Sequence, residues 1–260
     1  CSFTKKSKNN LTTTLCLDFG NTRLKCGVFT EEHLSEVITL QDDSPETIAS
    51  LLDKYKPGHT ILSSVINHKP EIEKILTEHS DFLKLNASAK LPFTTPVSKP
   101  ETIGADRLAL TAFAVHFHKG KNNLVIALGT CITYNFINKY SGFIGGSISP
   151  GMEMRFKALN YYTAKLPLIH GNKPVADWNF PLMGYDTETN ILSGVLLGMV
   201  AEIDGIINAY KEKFENINVL LTGGDTLNFT RNIKNEIIAE PDLILKGLYA
   251  ISQYNTGVKK

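Results

Sequence analysis

One short pattern occurs twice in the chain and limits the folds it can adopt. Residues 15–29 form an apolar run, a polar turn containing Gly20 and Thr22, and a second apolar run. Residues 124–137 repeat this order around a turn that includes Thr130. Repetition of one supersecondary unit indicates an internal duplication. We therefore predict two related halves, each opening with a β-hairpin, whose polar turns face each other across a cleft.

The first turn has the composition of a phosphate-binding turn. Gly20 can adopt backbone angles that are closed to other residues, so the N–H groups of the turn can approach an anion. Asn21 and Thr22 add short donors, and Lys25 adds a positive charge. Asp18 would repel phosphate unless it held a hydrated divalent cation such as Mg²⁺. These residues are also consistent with an ordinary hairpin whose turn is capped by Asn21.

Two further segments place polar residues at the ends of predicted elements. Gly104 precedes a long apolar helix that begins near Asp106 and Arg107. Because a helix N-terminus favours anions, Asp106 suits an acid–base role and Arg107 an anion clamp, although acidic residues are common in the first turn of any helix. A third strand ends in the glycine-rich turn at residues 222–225. We expect all three glycine-containing turns to converge on one nucleotide.

The order of predicted elements favours an α/β fold. Three strand-like runs between residues 15 and 40 precede a helix, a short strand and a second helix between residues 44 and 79. An opening hairpin in place of a βαβ unit indicates a mixed sheet with a three-strand meander. The 260 residues are long for one hydrophobic core and sufficient for two. We predict an N-terminal domain over 12–116, a C-terminal domain over 117–260 and a disordered leader over 1–11.

Composition argues against several classes of partner. The chain has 27 Lys and Arg against 26 Asp and Glu, so no charge excess favours nucleic acid or an anionic membrane. The longest apolar run, 191–207, is interrupted by Glu202 and Asp204 and falls short of the roughly 18–20 residues that span a bilayer. Four cysteines without metal-ligand spacing indicate a reducing compartment. We predict a cytoplasmic protein with no nucleic-acid or membrane partner.

The polar segments together resemble the type III pantothenate kinase family, part of the acetate kinase/sugar kinase/Hsp70/actin superfamily. The combination is highly specific, although each segment alone is not. The matching segments follow the family's order from about residue 13 to the end of the chain: 18–22 with Lys25, 104–107, 129–130, 145–151, 158–159, 163–164, 166–167, Thr187, 193–194 and 222–224.

This resemblance implies a fold and an activity. The fold would comprise two RNase H-like domains of the actin-like ATPase type, with mixed sheets and an interdomain nucleotide cleft. The activity would be ATP-dependent phosphorylation of pantothenate to 4′-phosphopantothenate, the first step of coenzyme A biosynthesis. It also implies a homodimer, Mg²⁺ as the divalent ion, and K⁺ or NH₄⁺ as an activating monovalent cation.

The resemblance also implies roles for individual residues. Asp106 would be the catalytic base that accepts the hydroxyl proton, and Asp18 would be directed at the hydrated Mg²⁺. Residues 145–151 would help to line the site. The residues implied to bind ATP are Asp18, Phe19, Gly20, Asn21, Thr22, Arg23, Leu24, Lys25 and Thr130. The residues implied to bind pantothenate are Gly104, Ala105, Asp106, Arg107 and, from the dimer partner, Thr187.

The chain departs from the family pattern at three positions. Ala127 stands where the family has an aspartate that ligates the monovalent cation, Asn135 where it usually has a second aspartate, and Val97 where it usually has a substrate-contacting tyrosine. A methyl group cannot ligate a cation, so we expect the monovalent-cation position at Ala127 to be non-functional. Two alternatives stay open: a catalytically impaired regulatory relative that binds nucleotide or pantothenate, and a superfamily kinase or phosphatase with another substrate, such as a sugar, acetate or polyphosphate.

Overall fold

The computed structural model describes residues 12–86, 89–96, 98–170 and 182–256. The predicted leader at 1–11 and Val97 lie outside the described residues. The described residues form two five-stranded mixed sheets. The first sheet has the order β3-β2-β1-β4-β5. Its strands are β1 (Thr13–Phe19), β2 (Leu24–Thr30), β3 (His33–Leu40), β4 (His59–Ser64) and β5 (Asp81–Lys84).

The second sheet repeats this topology with the order β10-β9-β6-β7-β8. Its strands are β6 (Asn122–Leu128), β7 (Cys131–Ile137), β8 (Phe143–Pro150), β9 (Ile217–Thr222) and β10 (Ile238–Ala239). In each sheet an antiparallel three-strand meander is followed by parallel strands. The duplication and the mixed α/β class predicted from the sequence are therefore confirmed.

Helices cover the faces of both sheets. The described helices are α1 (Pro45–Tyr55), α2 (Pro70–His79), α3 (Ala105–Phe117), α4 (Met152–Tyr161), α5 (Thr187–Lys213), α6 (Thr226–Phe229) and α7 (Leu243–Thr256). A 3₁₀ turn, Pro100–Thr102, precedes α3. Helix α1 shows how local sequence starts such a helix: the Ser44 hydroxyl accepts from the backbone N–H of Thr47, and Pro45 occupies the first turn.

Helices α3 and α7 pack against each other between the two sheets. One apolar cluster contains residues of both helices together with Cys16 and Ile61 of the first sheet and Val125 and Leu220 of the second. The last helix of the chain therefore contacts β1 and β4 of the first sheet. A domain boundary at residues 116 and 117 stays a prediction. Since α3 touches both sheets, a residue at its N-terminus is held relative to both.

Helix α5 is long and apolar enough to cross a membrane by length and composition alone. Of its most apolar window, 44% is buried inside the structure. Ile191, Val195 and Ile203 join the apolar cluster that covers the second sheet. Asp204 is buried on the same helix and accepts hydrogen bonds from the backbone N–H groups of Lys234 and Asn235. The predicted absence of a membrane partner stays a prediction.

Candidate active site

The three glycine-containing turns meet at one edge of the two sheets. The Oγ1 atoms of Thr22 and Thr130 lie 3.0 Å apart, so the β1–β2 turn touches the β6–β7 turn directly. The turn after β9 joins them, because the backbone N–H of Asp225 donates to the Leu128 carbonyl at 3.2 Å. Gly223 has φ +106°, and a Cβ there would lie 2.1 Å from the same carbonyl oxygen, so only glycine permits this approach.

Arg23 and Asp225 face each other where these turns meet. A Cβ built on Gly224 would lie 3.6 Å from Arg23 Nη1, which places the guanidinium beside the third turn. Burial and the charge of Glu153 raise the pKa of Asp225, while the positive charge of Arg23 opposes the rise. The first half of the molecule thus presents a cation to a half-buried carboxylate of the second half. A phosphate group at this position would compete with Asp225 for Arg23.

Asp18 lies near the end of β1, beside the parallel strand β4. Ser63, its partner across that strand pair, donates its hydroxyl to Asp18 Oδ1 at 3.2 Å. Burial, and secondarily the negative charge of Asp106, raises the pKa of Asp18 to about 6, although the Ser63 bond and Lys25 lower it. The charge of Asp106 thus acts on Asp18, so the two carboxylates share one electrostatic environment. Sequence reasoning missed Ser63, whose adjacency follows only from the strand pairing.

Asp106 is the second residue of α3, and its carboxylate folds back over the start of that helix. Its own backbone N–H and that of Arg107 donate to the carboxylate and lower its pKa, but burial outweighs them and raises it. A Cβ on Gly104 would lie 2.4 Å from Asp106 Oδ1. The φ of Gly104, −57°, is open to any residue. Glycine therefore serves here to leave room for the carboxylate.

Arg107 points toward the second sheet. Its Nε donates to Asn135 Oδ1 on β7 at 2.7 Å, and its guanidinium lies 5.4 Å from the centre of the Phe143 ring on β8. Burial lowers the pKa of Arg107, and the charge of Asp106 partly offsets this. Arg107 and Asp106 are thus neighbours in sequence whose side chains are held by different contacts.

The remaining residues that are predicted to bind ATP differ in how deeply their side chains are buried. Phe19 is fully buried, its ring centre lies 6.0 Å from that of His68, and Leu24 packs against the apolar cluster that contains Phe19. Their side chains support the hairpin and do not face the cleft. Gly20 closes the turn by donating its N–H to the Arg23 carbonyl at 3.1 Å. Asn21, Thr22, Arg23 and Thr130 are exposed at the turns, and Lys25 is half-buried.

The remaining residues of the predicted pantothenate set are more dispersed. Ala105 is buried in the cluster between the sheets. Thr187 is exposed in the first turn of α5, beside a capping box formed by Asp186 and Thr189. Among the described residues, no hydrogen bond joins Thr187 to Asp106. The described contacts within one copy of the chain therefore do not link Thr187 to Asp106.

The acidic residues at the site suit a partly hydrated divalent ion. Within the described residues, no group of three or more His, Cys, Asp or Glu side chains could hold a metal alone. Mg²⁺ usually keeps several waters and binds one or two carboxylates together with substrate phosphates. Asp18 suits such an ion, because it is a single carboxylate that lies just before the β1–β2 turn and opposite Lys25 in the β1–β2 ladder.

Replacing Asp18 by Asn should stabilise the ligand-free protein in a pH-dependent way. The folded-state pKa of about 6 lies above that of an unfolded aspartate, so the wild type loses stability as pH rises through this range. We expect Asp18→Asn to gain up to about 3 kcal/mol at pH 7.5 and about 1 kcal/mol at pH 4.5, measured by urea unfolding. Asp53→Asn, which alters an exposed carboxylate of α1, should show no such trend. A gain independent of pH would contradict this assignment.

Comparison with known proteins identifies the family. A family model for type III pantothenate kinase matches residues 14–209. A type III pantothenate kinase of Christiangramia forsetii is 40% identical over 243 residues, covering 93% of this chain and 98% of that one. A type III pantothenate kinase of Cytophaga hutchinsonii is also 40% identical over 243 residues, covering 93% and 99%.

Solved structures support the fold. A Campylobacter jejuni protein described as a Baf family transcriptional activator superposes with a TM-score of 0.59 at 21% identity, covering 94% of this chain and all of that one. The ROK hexokinase of Thermus thermophilus superposes with a TM-score of 0.53 at 12% identity, covering 94% and 100%. At such identities the likeness concerns the fold alone, which is of the actin-like ATPase type. The matches in sequence go further: the chain belongs to the type III pantothenate kinase family.

Proposed function

We propose that this protein transfers the γ-phosphoryl group of ATP to the 4′-hydroxyl of pantothenate, the first step of coenzyme A biosynthesis. The observation that carries the proposal is the convergence of three glycine-containing turns beside Asp18, on which the charge of Asp106 also acts. A kinase needs phosphate donors, a metal-directed carboxylate and a base for the acceptor alcohol in one place. Family membership supplies the identity of the acceptor.

Each group has a distinct task in the proposed reaction. Arg23, Lys25 and the turn donors hold the triphosphate, and Arg107 binds the pantothenate carboxylate. The hydroxyl oxygen attacks the γ-phosphorus, the bond to the β–γ bridging oxygen breaks, and ADP leaves with that electron pair. Asp106 accepts the hydroxyl proton, and its raised pKa makes it a stronger base than an exposed aspartate. Mg²⁺, directed by Asp18, would neutralise charge on the phosphates.

Asp106→Asn should reduce turnover and leave substrate binding nearly intact. An amide cannot accept the proton, and general-base catalysis contributes about 10²–10⁴-fold, so kcat should fall within that range while KM for pantothenate changes by less than about threefold. Coupled assay of ADP release with pantothenate measures both constants. The exposed-site variant Asp53→Asn should behave as wild type.

Gly104→Ala tests the same carboxylate without altering it. The new Cβ would overlap Asp106 Oδ1 and displace the base, whereas the backbone conformation suits alanine. We expect kcat to fall between about tenfold and a hundredfold with little change in thermal stability.

Wild-type turnover in Asp106→Asn would refute the role of the base. Nucleotide binding without any turnover by the wild type would instead indicate the regulatory relative.

We also propose that activity does not depend on K⁺ or NH₄⁺. Ala127 is half-buried, lies opposite Thr133 in the β6–β7 ladder and packs against the cluster between the sheets. A methyl group at this position offers no cation ligand. Rates measured in K⁺, NH₄⁺ or tetramethylammonium chloride at equal ionic strength should agree within about twofold, because only general screening then acts on the site. Activation of more than about tenfold by K⁺ would contradict the proposal.

A homodimer is the proposed active form, with Thr187 contributing to the partner's pantothenate site. Tyr161 and Tyr162 at the end of α4 are 80% and 81% exposed, and Tyr185, just before α5, is 83% exposed. The rings of Tyr161 and Tyr162 lie 4.9 Å apart between their centres, and exposed aromatic side chains are enriched at protein–protein contact sites. Buried free thiols at Cys16 and Cys26 fit the proposed cytoplasmic location.

Mixing two inactive variants tests the shared site. Thr187→Ala and Asp106→Asn should each be impaired alone. A hybrid dimer of the two contains one site with both residues intact, so random mixing should recover about a quarter of wild-type activity. Refolding the variants together and assaying ADP release measures this recovery. If Thr187 acted within its own chain, mixing would recover nothing.

A further inference from the structure

We infer that Asn135 is a positioning residue that aims Arg107 at the substrate carboxylate and thereby makes the acceptor site selective for acids. This inference rests on the proposed function, in which Arg107 binds the carboxylate of pantothenate. The sequence identifies Asn135 only as a departure from the family pattern. The contacts of its side chain assign it a definite task.

The buried side-chain amide of Asn135 makes all the hydrogen bonds that this task requires. Asn135 has no exposed surface. Its Oδ1 accepts from Arg107 Nε at 2.7 Å, while Nδ2 donates to the Val125 carbonyl at 3.2 Å and to Thr133 Oγ1 at 3.1 Å. A flipped amide would set Nδ2 against the N–H of Arg107 and Oδ1 against the Val125 carbonyl. The surrounding groups therefore fix which end of the amide faces Arg107.

The contact orients the guanidinium without neutralising it. Among the described residues Arg107 makes no ion pair, so its partner on β7 is this uncharged oxygen. Because the bond uses Nε, the two terminal nitrogens keep the end-on geometry that binds a carboxylate through two hydrogen bonds. Phe143 packs near the guanidinium and limits its movement further. Arg107 is thus held with its full charge available to a ligand.

The wall beside Arg107 is neutral as well. Thr133 and Asn135 are two residues apart on β7 and share one face of the sheet, and Ala127 lies opposite Thr133 on β6. None of these three side chains carries a charge. The nearby carboxylate is that of Asp106, whose negative charge opposes the lowering of the Arg107 pKa by burial. An acidic ligand therefore meets an oriented cation with little competition from the second sheet.

The test compares pantothenate with pantothenol, in which a neutral CH₂OH group replaces the carboxylate and the acceptor hydroxyl is unchanged. Asn135→Leu has a similar volume and cannot hold Arg107. We expect its KM for pantothenate to rise about tenfold to a hundredfold, the range for loss of a hydrogen bond to a charged group. Its kcat and its KM for ATP should stay within about threefold of wild type. Its preference for pantothenate over pantothenol in kcat/KM should fall by the same factor as the rise in KM.

Two further variants separate aiming, charge and folding. Asn135→Asp keeps an acceptor for Arg107 but loses both Nδ2 donors and adds a negative charge beside the guanidinium, so it should be less stable and should prefer the acid less strongly than wild type does. Thr133→Val removes one Nδ2 partner and leaves the Arg107 bond in place, so its preference should match wild type. If Asn135→Leu does not fold, Asn135→Ser, too short to reach Arg107, should show the same loss of preference.

Calorimetric binding of both compounds provides a second readout that does not depend on turnover. Loss of the acid preference in Asn135→Leu or Asn135→Ser, by kinetics or by binding, supports the inference. An unchanged preference in those variants overturns it and leaves the proposed function intact. A wild type that binds pantothenate selectively without phosphorylating it overturns the proposed function, and the binding comparison still tests Asn135. A wild type that binds neither compound overturns both.

Discussion

The site depends on holding two carboxylates, Asp18 and Asp106, away from bulk water, with the charge of Asp106 acting on Asp18. Burial raises the pKa of each group, and the charge of Asp106 raises that of Asp18 further. Local contacts offset part of this cost. The Ser63 hydroxyl and Lys25 lower the pKa of Asp18, and backbone N–H groups at the start of α3 lower the pKa of Asp106. A divalent cation bound together with the phosphates of a nucleotide would supply positive charge and relieve the remaining repulsion. The ligand-free site would therefore favour such a cation.

Duplication of one hairpin explains how two similar turns meet at one site. The differences between the side chains of the two copies explain the chemistry of that site. The pair Asp18 and Lys25 in the first hairpin corresponds in topology to Ala127 and Thr133 in the second. The first hairpin thus provides charge, while the second provides neutral side chains and the Thr130 hydroxyl. Because α3 packs between the sheets, residues at its N-terminus contact both halves. An asymmetric reaction can then occur within a nearly symmetric scaffold.

Sequence patterns predicted the hairpins, the convergence of their turns and the start of α3, because each depends on local spacing. They did not predict β8, whose Gly145 and Gly146 are poor strand formers. A Cβ on Gly146 would lie 1.7 Å from the Tyr134 carbonyl oxygen, so close strand approach, invisible in one sequence, accounts for that glycine. The contacts of Ser63 and Asp225 could not be predicted from the sequence for a similar reason. Their partners belong to other strands and turns, and only the register brings them together.

The two neutral positions on the second sheet have a common consequence. A carboxylate at residue 127 or 135 would lie on the face of β6 and β7 toward which Arg107 is directed, and would attract its guanidinium. With Ala127 and Asn135 in place, the second sheet supplies an acceptor oxygen without a negative charge. The half-buried Arg107 then depends on Asp106 and an incoming acid for charge compensation. The absence of carboxylates at these two positions therefore leaves more of the charge of Arg107 available to an anionic ligand.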